Sequence, residues 1–398
     1  MDYSTLAQNV ADGAEGILFD GQSLYAHLRA VKDWRGRRGQ RYELALILTA
    51  LVLAKMAGED TPSGIASWAR QRQALFYELF HLKRLAMPCH NTYRRALKGG
   101  LRLADLAREC EAYVRAWPEV GSEVRLTLDG KAVRGTIAFG DSRGVYLLAA
   151  YLPRLGVVLL QVAIDSKTNE IGAAPQVLKL LDLRGKIVTG DAMFAQRALS
   201  LLIVQAGGDY VWTVKDNQSQ LKTDIEQLFD NQQPQGPGFG PAPTDFATAR
   251  TVNGGHGRIE TRTLTTSSWL AETSDWPGAQ QVFKLERQTE IVARQQQRAE
   301  VAYGITSLSA TEAGPAQLLT IVRQHWGQEN GLHYRRDVTF HEDAGRTRDW
   351  TVAEGLAILN NLVLALLLRG GQANVAQQRR YYAAHPDVAL KRLFAAPT

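Results

Sequence analysis

Hydrophobic positions recur at helical spacing through residues 1 to about 120, and strand signals there are few. The apolar run LALILTALVLAKMAG (44–58) predicts a buried helix. Before it, VKDWRGRRGQRYE (31–43) gathers Lys32, Arg35, Arg37, Arg38 and Arg41 in one short stretch broken by glycines. TPSGIASWARQRQALFYELF (61–80) opens on a Thr-Pro-Ser helix start and keeps helical spacing. CHNTYRRALKGG (89–100) predicts a short helix closed by two glycines. Helix, turn and basic helix in this order suit a DNA-reading unit. A helical bundle with solvated arginines suits the same pattern equally well.

From residue 123 the pattern turns to strands. EVRLTLDGKAV and GVYLLAAYLPRLGVVLLQVAI predict a three-strand meander interrupted at Pro153, Arg154 and Gly156. A helix (174–183), the strand KIVTGDAMF, a helix (195–206), the strand DYVWTVK and a polar helix (217–230) follow. Strands in a meander, then alternating with helices, predict a mixed sheet covered by helices. QQPQGPGFGPAP (232–243) reads as a linker, and 245–309 as a β-rich insertion of short strands and turns. Helical spacing returns over 315–335 and again over 351–369. EGLAILNNLVLALLLR (354–369) is short for a bilayer and carries Asn360 and Asn361 in its middle, and the run 44–58 is shorter still. Both predict buried helices, with no membrane partner.

Composition changes this picture little. The 398 residues are 45% apolar and 22% charged, as expected of a folded chain with two or three domains. Forty-six basic against forty acidic residues leave +6, mostly from arginine, which permits a nucleic-acid partner without requiring one. Cys89 and Cys110 stand outside any metal-binding spacing, and no signal peptide is evident. Reduced thiols in a cytoplasmic protein are the expectation.

The candidate chemistry lies in carboxylates. Asp129 ends the apolar strand RLTLD, and Asp191 ends KIVTGD. If the two strands are neighbours, both carboxylates face one crevice, where hard cations such as Mg²⁺ find oxygen ligands. Each Asp taken alone is equally a turn former or helix cap. In IVRQHWGQENGLHYRRD (321–337), His325, Glu329 and His333 fall four residues apart and share one helical face, with Arg336 near it. A carboxylate flanked by imidazoles and a guanidinium suits a metal-bound phosphodiester. A mixed-charge surface helix has the same spacing. It is not the zinc pattern HExxH, because the Glu sits at the wrong offset.

Several segments in order carry a family resemblance. They are RGRRGQRYELALILTALVLAKMAG, GIASWARQR, HNTYRRAL, LTLDGKAVRGT, EIGAAPQVLKLLDLRGKIVTGDAMFAQ, WTVKDNQ, GHGRIETRTL and HWGQENGLHYRRDVTFHEDAGRTR. Over nearly its whole length the chain resembles the ISAs-type DDE transposases of bacteria, also called H-repeat-associated proteins, within the IS-four-like group. The resemblance implies an α/β, RNase H-like mixed sheet with flanking helices, a β-rich insertion and an α-helical N-terminal domain. The implied boundaries are 1–120 for a DNA-binding domain, 121–230 and 313–398 for the two parts of the catalytic core, and 231–312 for the insertion. Asp129, Asp191 and Glu329 would be the catalytic and metal-binding acids, holding two Mg²⁺ (or Mn²⁺) ions.

The resemblance further implies binding to the terminal inverted repeats of an insertion sequence and to target DNA. Strand hydrolysis at each end would be followed by transfer of the freed 3′-hydroxyl. A homodimer on DNA and a cytoplasmic, nucleoid-associated location are implied with it. A metal-dependent nuclease without strand transfer, and a domesticated, catalytically silent DNA-binding protein, are the alternatives. In place of the group's Tyr, Arg, Glu, Lys signature stand Val322, His325, Glu329 and Arg336, and Asn91 stands where an Asp is expected. His325 and Arg336 are expected at phosphate, as are Lys131, Arg134, Lys215, Asn217, His256, Arg258, Arg262, Arg37 and Arg38. Solvated charges or a structural turn explain Lys131, Arg134, Lys215 and Asn217 at least as well. Trp269 and Trp276 suit stacking on an unpaired base or, more commonly, core packing. Glu342 and Asp343 are the rivals of Glu329 for the third acid.

Overall fold

The computed structural model describes residues 10–12, 18–133, 145–164, 170–230, 245–255, 257–291, 293, 296–328, 335–342, 349–370 and 374–397. In chain order, a short antiparallel pair, β1 (Val10–Asp12) and β2 (Leu18–Asp20), precedes the helices. Then come α1 (Leu24–Ala30), α2 (Leu44–Met56), α3 (Pro62–Gln71), α4 (Gln73–Leu79), α5 (His90–Arg95), α6 (Leu103–Arg115) and α7 (Pro118–Gly121). The strands β3 (Arg125–Val133), β4 (Val145–Leu152) and β5 (Val157–Ile164) follow. Next are α8 (Glu170–Lys179), β6 (Ile187–Gly190), α9 (Arg197–Gln205), β7 (Asp209–Val214) and α10 (Ser219–Asp230). The insertion holds β8 (Ala247–Gly255), β9 (Arg258–Ser267), α11 (Trp269–Thr273), β10 (Gln281–Ile291) and β11 (Gln296–Thr306). The helices α12 (Pro315–Gln328), α13 (Trp350–Arg369), α14 (Val375–Ala384) and α15 (Pro386–Phe394) close the chain.

The chain forms two compact units. The first comprises residues 1–123, 130–167 and 329–398, so the C-terminal helices group with the N-terminal ones. The linear pattern does not display that grouping. At its centre all thirteen residues of α2 are buried, and α13 packs on both α2 and α6. Fully burying one Leu, Ile or Val contributes about 1.5–3 kcal/mol, so a helix apolar on every side is stable only in such a position. The 20 residues of α13 exceed the apolar run noted in the sequence and match a bilayer in length, yet 78% of its most apolar window lies inside the protein. Its N-cap, Asp349, accepts from the Val352 amide at 3.2 Å, which satisfies one orphan donor of the first turn. The antiparallel hairpin of β4 and β5 lies against α13.

The second unit comprises residues 124–129 and 168–328. β3 is common to both: its first half pairs in the second unit, and its second half continues into the first. In the second unit the strand order is β3-β6-β7-β11-β10-β9-β8, and in the first it is β5-β4-β3. The β3, β6 and β7 pairs are parallel, and the pairs from β7 through β11, β10, β9 and β8 are antiparallel. This is the mixed α/β, RNase H-like order, with the β-rich insertion continuing the sheet beyond β7. α12 covers the insertion strands. Leu318, Leu319, Ile321 and Val322 share a core with Leu264, Phe283 and Leu285.

Candidate active site

β6 is four residues long and buried on both faces, as a central parallel strand requires. Its register against β3 pairs Thr127 with Thr189 and Leu128 with Gly190. The two threonine hydroxyls meet at 2.8 Å in the core, which pins that register from within. Asp129 and Asp191 are each the next residue after the last pair, so they lie side by side at the carboxyl end of β6, beyond which β3 runs on to Val133 instead of ending at Asp129 as the sequence suggested. Such ends are where open α/β sheets place their sites. Gly190 makes the exit possible: a Cβ there would lie 2.8 Å from the Phe194 ring and 3.2 Å from Trp212.

The chain then turns sharply, with the Phe194 amide donating to the Asp191 carbonyl at 2.8 Å. Two side chains of the VKDNQ segment hold this turn. Asn217 Nδ2 donates to the Ala192 carbonyl at 2.7 Å, and Gln218 Nε2 donates to the Ala195 carbonyl at 3.0 Å. From α12, His325 brings Nε2 to 3.3 Å from Asp191 Oδ1. The imidazole is largely covered, whereas the Asp191 side chain is 71% exposed. Glu170, at the start of α8, joins the same electrostatic neighbourhood. Burial pushes its carboxyl above the ordinary value, and the negative charges of Asp129 and Asp191 add to the push.

Paired carboxylate oxygens suit Mg²⁺, which typically takes one or two carboxylates and fills the remaining positions with water and phosphate. The donor set present therefore fits the implied ion. Among the described residues, no three His, Cys, Asp or Glu side chains stand close enough to hold a metal by themselves. The third expected acid, Glu329, lies outside the described residues, as does His333.

Comparison with known proteins places the chain in a family. Residues 122–366, well over half of the chain, match the family described as Transposase DDE domain. The chain belongs to that family. Residues 25–106 match a second model, described as DDE_Tnp_1-associated. The H repeat-associated protein YhhI of Escherichia coli K12, named as a candidate transposase, is 26% identical over 91% of this chain and 97% of its own. The candidate transposase YncI of Escherichia coli O157:H7 is 28% identical, covering 87% of each chain. A Xanthobacter autotrophicus protein from the dhlA 3′ region is 31% identical over 65% of this chain and 85% of its own. Among solved structures, piggyBac transposase in a synaptic complex with hairpin DNA matches at TM-score 0.46 and 12% identity, covering 98% of this chain and 85% of that one.

The remaining expected residues of the transposase divide sharply by environment. Arg37 and Arg38 are exposed on the turn Arg37–Gly39, near Trp34, whose ring is flanked by Lys32 at 4.2 Å and Arg102 at 4.0 Å. Lys215 and Arg258 are exposed. Arg262 lies on the α12 side of β9 and pairs with Glu260 at 2.6 Å. Arg134 and His256 lie outside the described residues. Trp276 is buried, its indole nitrogen donating to Ser200 Oγ at 3.2 Å, so it serves the core, whereas Trp269 is 39% exposed. Cys110 is buried, which pushes its thiol up to about 12, and Cys89 is exposed.

Arg336 and Lys131, expected at phosphate, sit instead inside the first unit. Arg336 is 1% exposed and grips Glu342 with both arms of its fork, Nε to Oε2 at 2.9 Å and Nη2 to Oε1 at 2.5 Å. Lys131 is bonded to Asp337 and stands 4.0 Å from Glu342. Asn360 Nδ2 completes the Glu342 shell at 3.0 Å, and Lys55 Nζ donates to Asn360 Oδ1 at 2.6 Å. Glu342, a rival for the third acid, is thus occupied by internal partners. Asp343 lies outside the described residues. Sequence reasoning passed over Glu170 and Lys55. For Lys55 a signal existed, since one Lys interrupts an otherwise apolar run.

Proposed function

We propose that this DDE transposase binds the terminal inverted repeats of its own element, hydrolyses one strand at each end and joins the freed 3′-hydroxyl to target DNA. The observation that carries the reading is the β3–β6 register, which sets Asp129 beside Asp191 at the carboxyl end of β6. With Glu329 they would be the ligands of two Mg²⁺ or Mn²⁺ ions. When bound, such ions supply positive charge that activates a nucleophile and stabilises a leaving oxygen. The protein's own side chains position the rest. His325 steadies Asp191, Asn217 and Gln218 fix the turn behind it, and Glu170 adds negative charge that favours cations in the crevice. Lys215 and Arg258, both exposed, would meet phosphates, and the exposed Arg37 and Arg38 would meet the backbone of flanking DNA. In hydrolysis, water adds to phosphorus as the P–O3′ bond breaks, leaving a 3′-hydroxyl and a 5′-phosphate. In transfer, that hydroxyl adds to a target phosphodiester and displaces a second 3′ oxygen. Two protomers holding two ends, in the cytoplasm at the nucleoid, complete the proposal.

Incubating the protein with Mg²⁺ and DNA ending in the inverted repeats that flank its gene tests the reading. Joined products support transfer, nicks alone favour a nuclease, and binding without either favours a silent DNA-binding protein. Replacing Mg²⁺ by Ca²⁺ is expected to preserve binding but slow nicking at least about tenfold, because Ca²⁺ coordination is larger and looser. Turnover in Ca²⁺ equal to that in Mg²⁺ would contradict the proposed ligands. The double substitution R37A/R38A is expected to lower the slope of log affinity against log salt by up to about two, since each phosphate contact contributes roughly 0.9. A titration showing the parent slope would return both arginines to the solvated surface.

A further inference from the structure

The insertion has two faces, and the core settles which one lies under α12. Leu264 on β9 and Leu285 on β10 pack with Leu318, Leu319 and Val322 of that helix. Side chains two residues away along each strand share this face. Arg262 and Arg287 are those residues, directly opposite each other in the β9–β10 register. On β8, Thr251 stands opposite Arg262 and Asn253 opposite Glu260, on the same face. Glu300 stands opposite Arg287 on β11. Beyond its apolar contacts, α12 contributes Arg323, which is exposed and near enough for its charge to act on Arg262.

This polar patch is rich in N–H donors. Three guanidinium groups, each with five N–H donors, face the two carboxylates of Glu260 and Glu300. Arg262 spends one arm on Glu260 at 2.6 Å, and Arg287 bonds to Glu300 and stands 3.8 Å from Glu260. Three buried atoms have no hydrogen-bond partner among the described residues: Arg262 Nη1, Asn253 Nδ2 and Thr251 Oγ1. Buried polar groups in folded proteins are nearly always satisfied, so a group of them on one face marks a place where a ligand completes the structure. Burial holds the Arg262 guanidinium below its ordinary value, and Arg323 and Arg287 add to that effect against the pull of Glu260. An anion with several acceptor oxygens would relieve both deficits.

We propose that Arg262, Arg287 and Arg323, with Asn253 and Thr251, form a phosphate-binding site that takes one phosphodiester of a DNA strand. α12 links it to the carboxylate crevice, because His325, two residues beyond Arg323, is the side chain that touches Asp191. Two residues turn a helix by about 200°, so the two side chains leave α12 in different directions, one toward each site. Arg323 is the movable member. As an exposed side chain it admits the phosphate and then closes over it, while Arg262 and Arg287 are held by the strands.

The inference rests on the DNA reading above, and the test separates the two. The full-length protein and its R323Q, R323K and N253A variants are titrated with labelled duplex DNA across a salt series in Ca²⁺, assayed for nicking in Mg²⁺, and melted with and without inorganic phosphate. R323Q is expected to lower the salt slope by about one and weaken binding about tenfold at low salt. R323K is expected to keep most of the slope, because it keeps the charge. N253A is expected to weaken binding without changing the slope. Phosphate is expected to raise the melting temperature of the parent more than that of R323Q. A parent that binds and cuts DNA beside an R323Q variant with the same slope and affinity overturns the site and spares the DNA reading. A parent that neither binds nor cuts overturns the DNA reading and its strand as the occupant. Phosphate protection lost in R323Q would then assign the site to free phosphate.

Discussion

Asp129→Asn and Asp191→Asn are each expected to reduce Mg²⁺-dependent DNA cleavage by on the order of a thousandfold while leaving DNA affinity within about threefold of the parent. The size follows from what the side chains would do. A metal held by two acids supplies several kcal/mol of charge stabilisation to the breaking phosphodiester, and each 1.36 kcal/mol is a factor of ten in rate. Asparagine keeps the volume and one oxygen but loses the charge, so the strand ends stay packed while the affinity for a divalent ion falls. The fold should survive, because Asp191 projects into solvent and the register below it is held by Thr127, Thr189 and Gly190. Glu329→Gln is expected to behave alike if that residue completes the site. Glu170→Gln makes a graded contrast: loss of a neighbouring charge rather than of a ligand predicts a drop of about tenfold or less, with partial rescue by higher Mg²⁺. The readout is nicking of end-labelled DNA in a Mg²⁺ titration, beside a binding assay in Ca²⁺. Full cleavage by any of the three acid variants would remove that residue from the site.

How much of this was legible in the sequence depends on the distance over which each feature is decided. The apolar runs leading to Asp129 and Asp191 were visible because such a run is local, although β3 continues past Asp129 to Val133. Their adjacency was not, because it arises from parallel pairing of segments about sixty residues apart, which leaves no local trace. Asn360 and Asn361 stood out as polar residues inside an apolar helix, and Lys55 interrupts a similar run. Their meeting, Lys55 to Asn360, closes a loop of 305 residues that no periodicity reveals. Glu170 was missed because its coupling to the two aspartates exists only once α8 is placed beside the strand ends. Arg336 shows the opposite failure. Its charge suggested a phosphate contact, and its burial against Glu342, six residues later, was hidden because residues six apart do not share an α-helical face. A π-helical turn over Arg335–Thr339 alters that geometry and brings them together.

Glu342→Ala is expected to be the most destabilising of the substitutions considered, lowering unfolding free energy by about 3–5 kcal/mol, a large fraction of the 5–15 kcal/mol typical of a domain. The loss comes less from the missing attraction than from what it leaves behind: Arg336, 1% exposed, without its carboxylate partner, and Lys131, 7% exposed, with Asp337 alone. Acid should reveal the same pair in the intact protein. Burial pushes the Glu342 carboxyl up, but the charge and hydrogen bonds of Arg336, then Lys131 and Asn360, outweigh it and hold the group at about 2 against an ordinary 4.5. A carboxyl lowered on folding contributes stability that is fully present above 4.5 and lost as pH falls toward 2, because the unfolded chain takes up the proton first. Asp60, raised by burial despite Lys55 and Arg379, works in the opposite sense. The informative quantity is therefore the difference between parent and E342Q, in which the Asp60 contribution cancels. Urea unfolding at a series of pH values should show that difference largest above 4.5 and shrinking on acidification toward 2. A difference independent of pH across that window would mean that Glu342 is not ionised beside Arg336, and the buried ion pair would have to be redrawn as a neutral hydrogen bond.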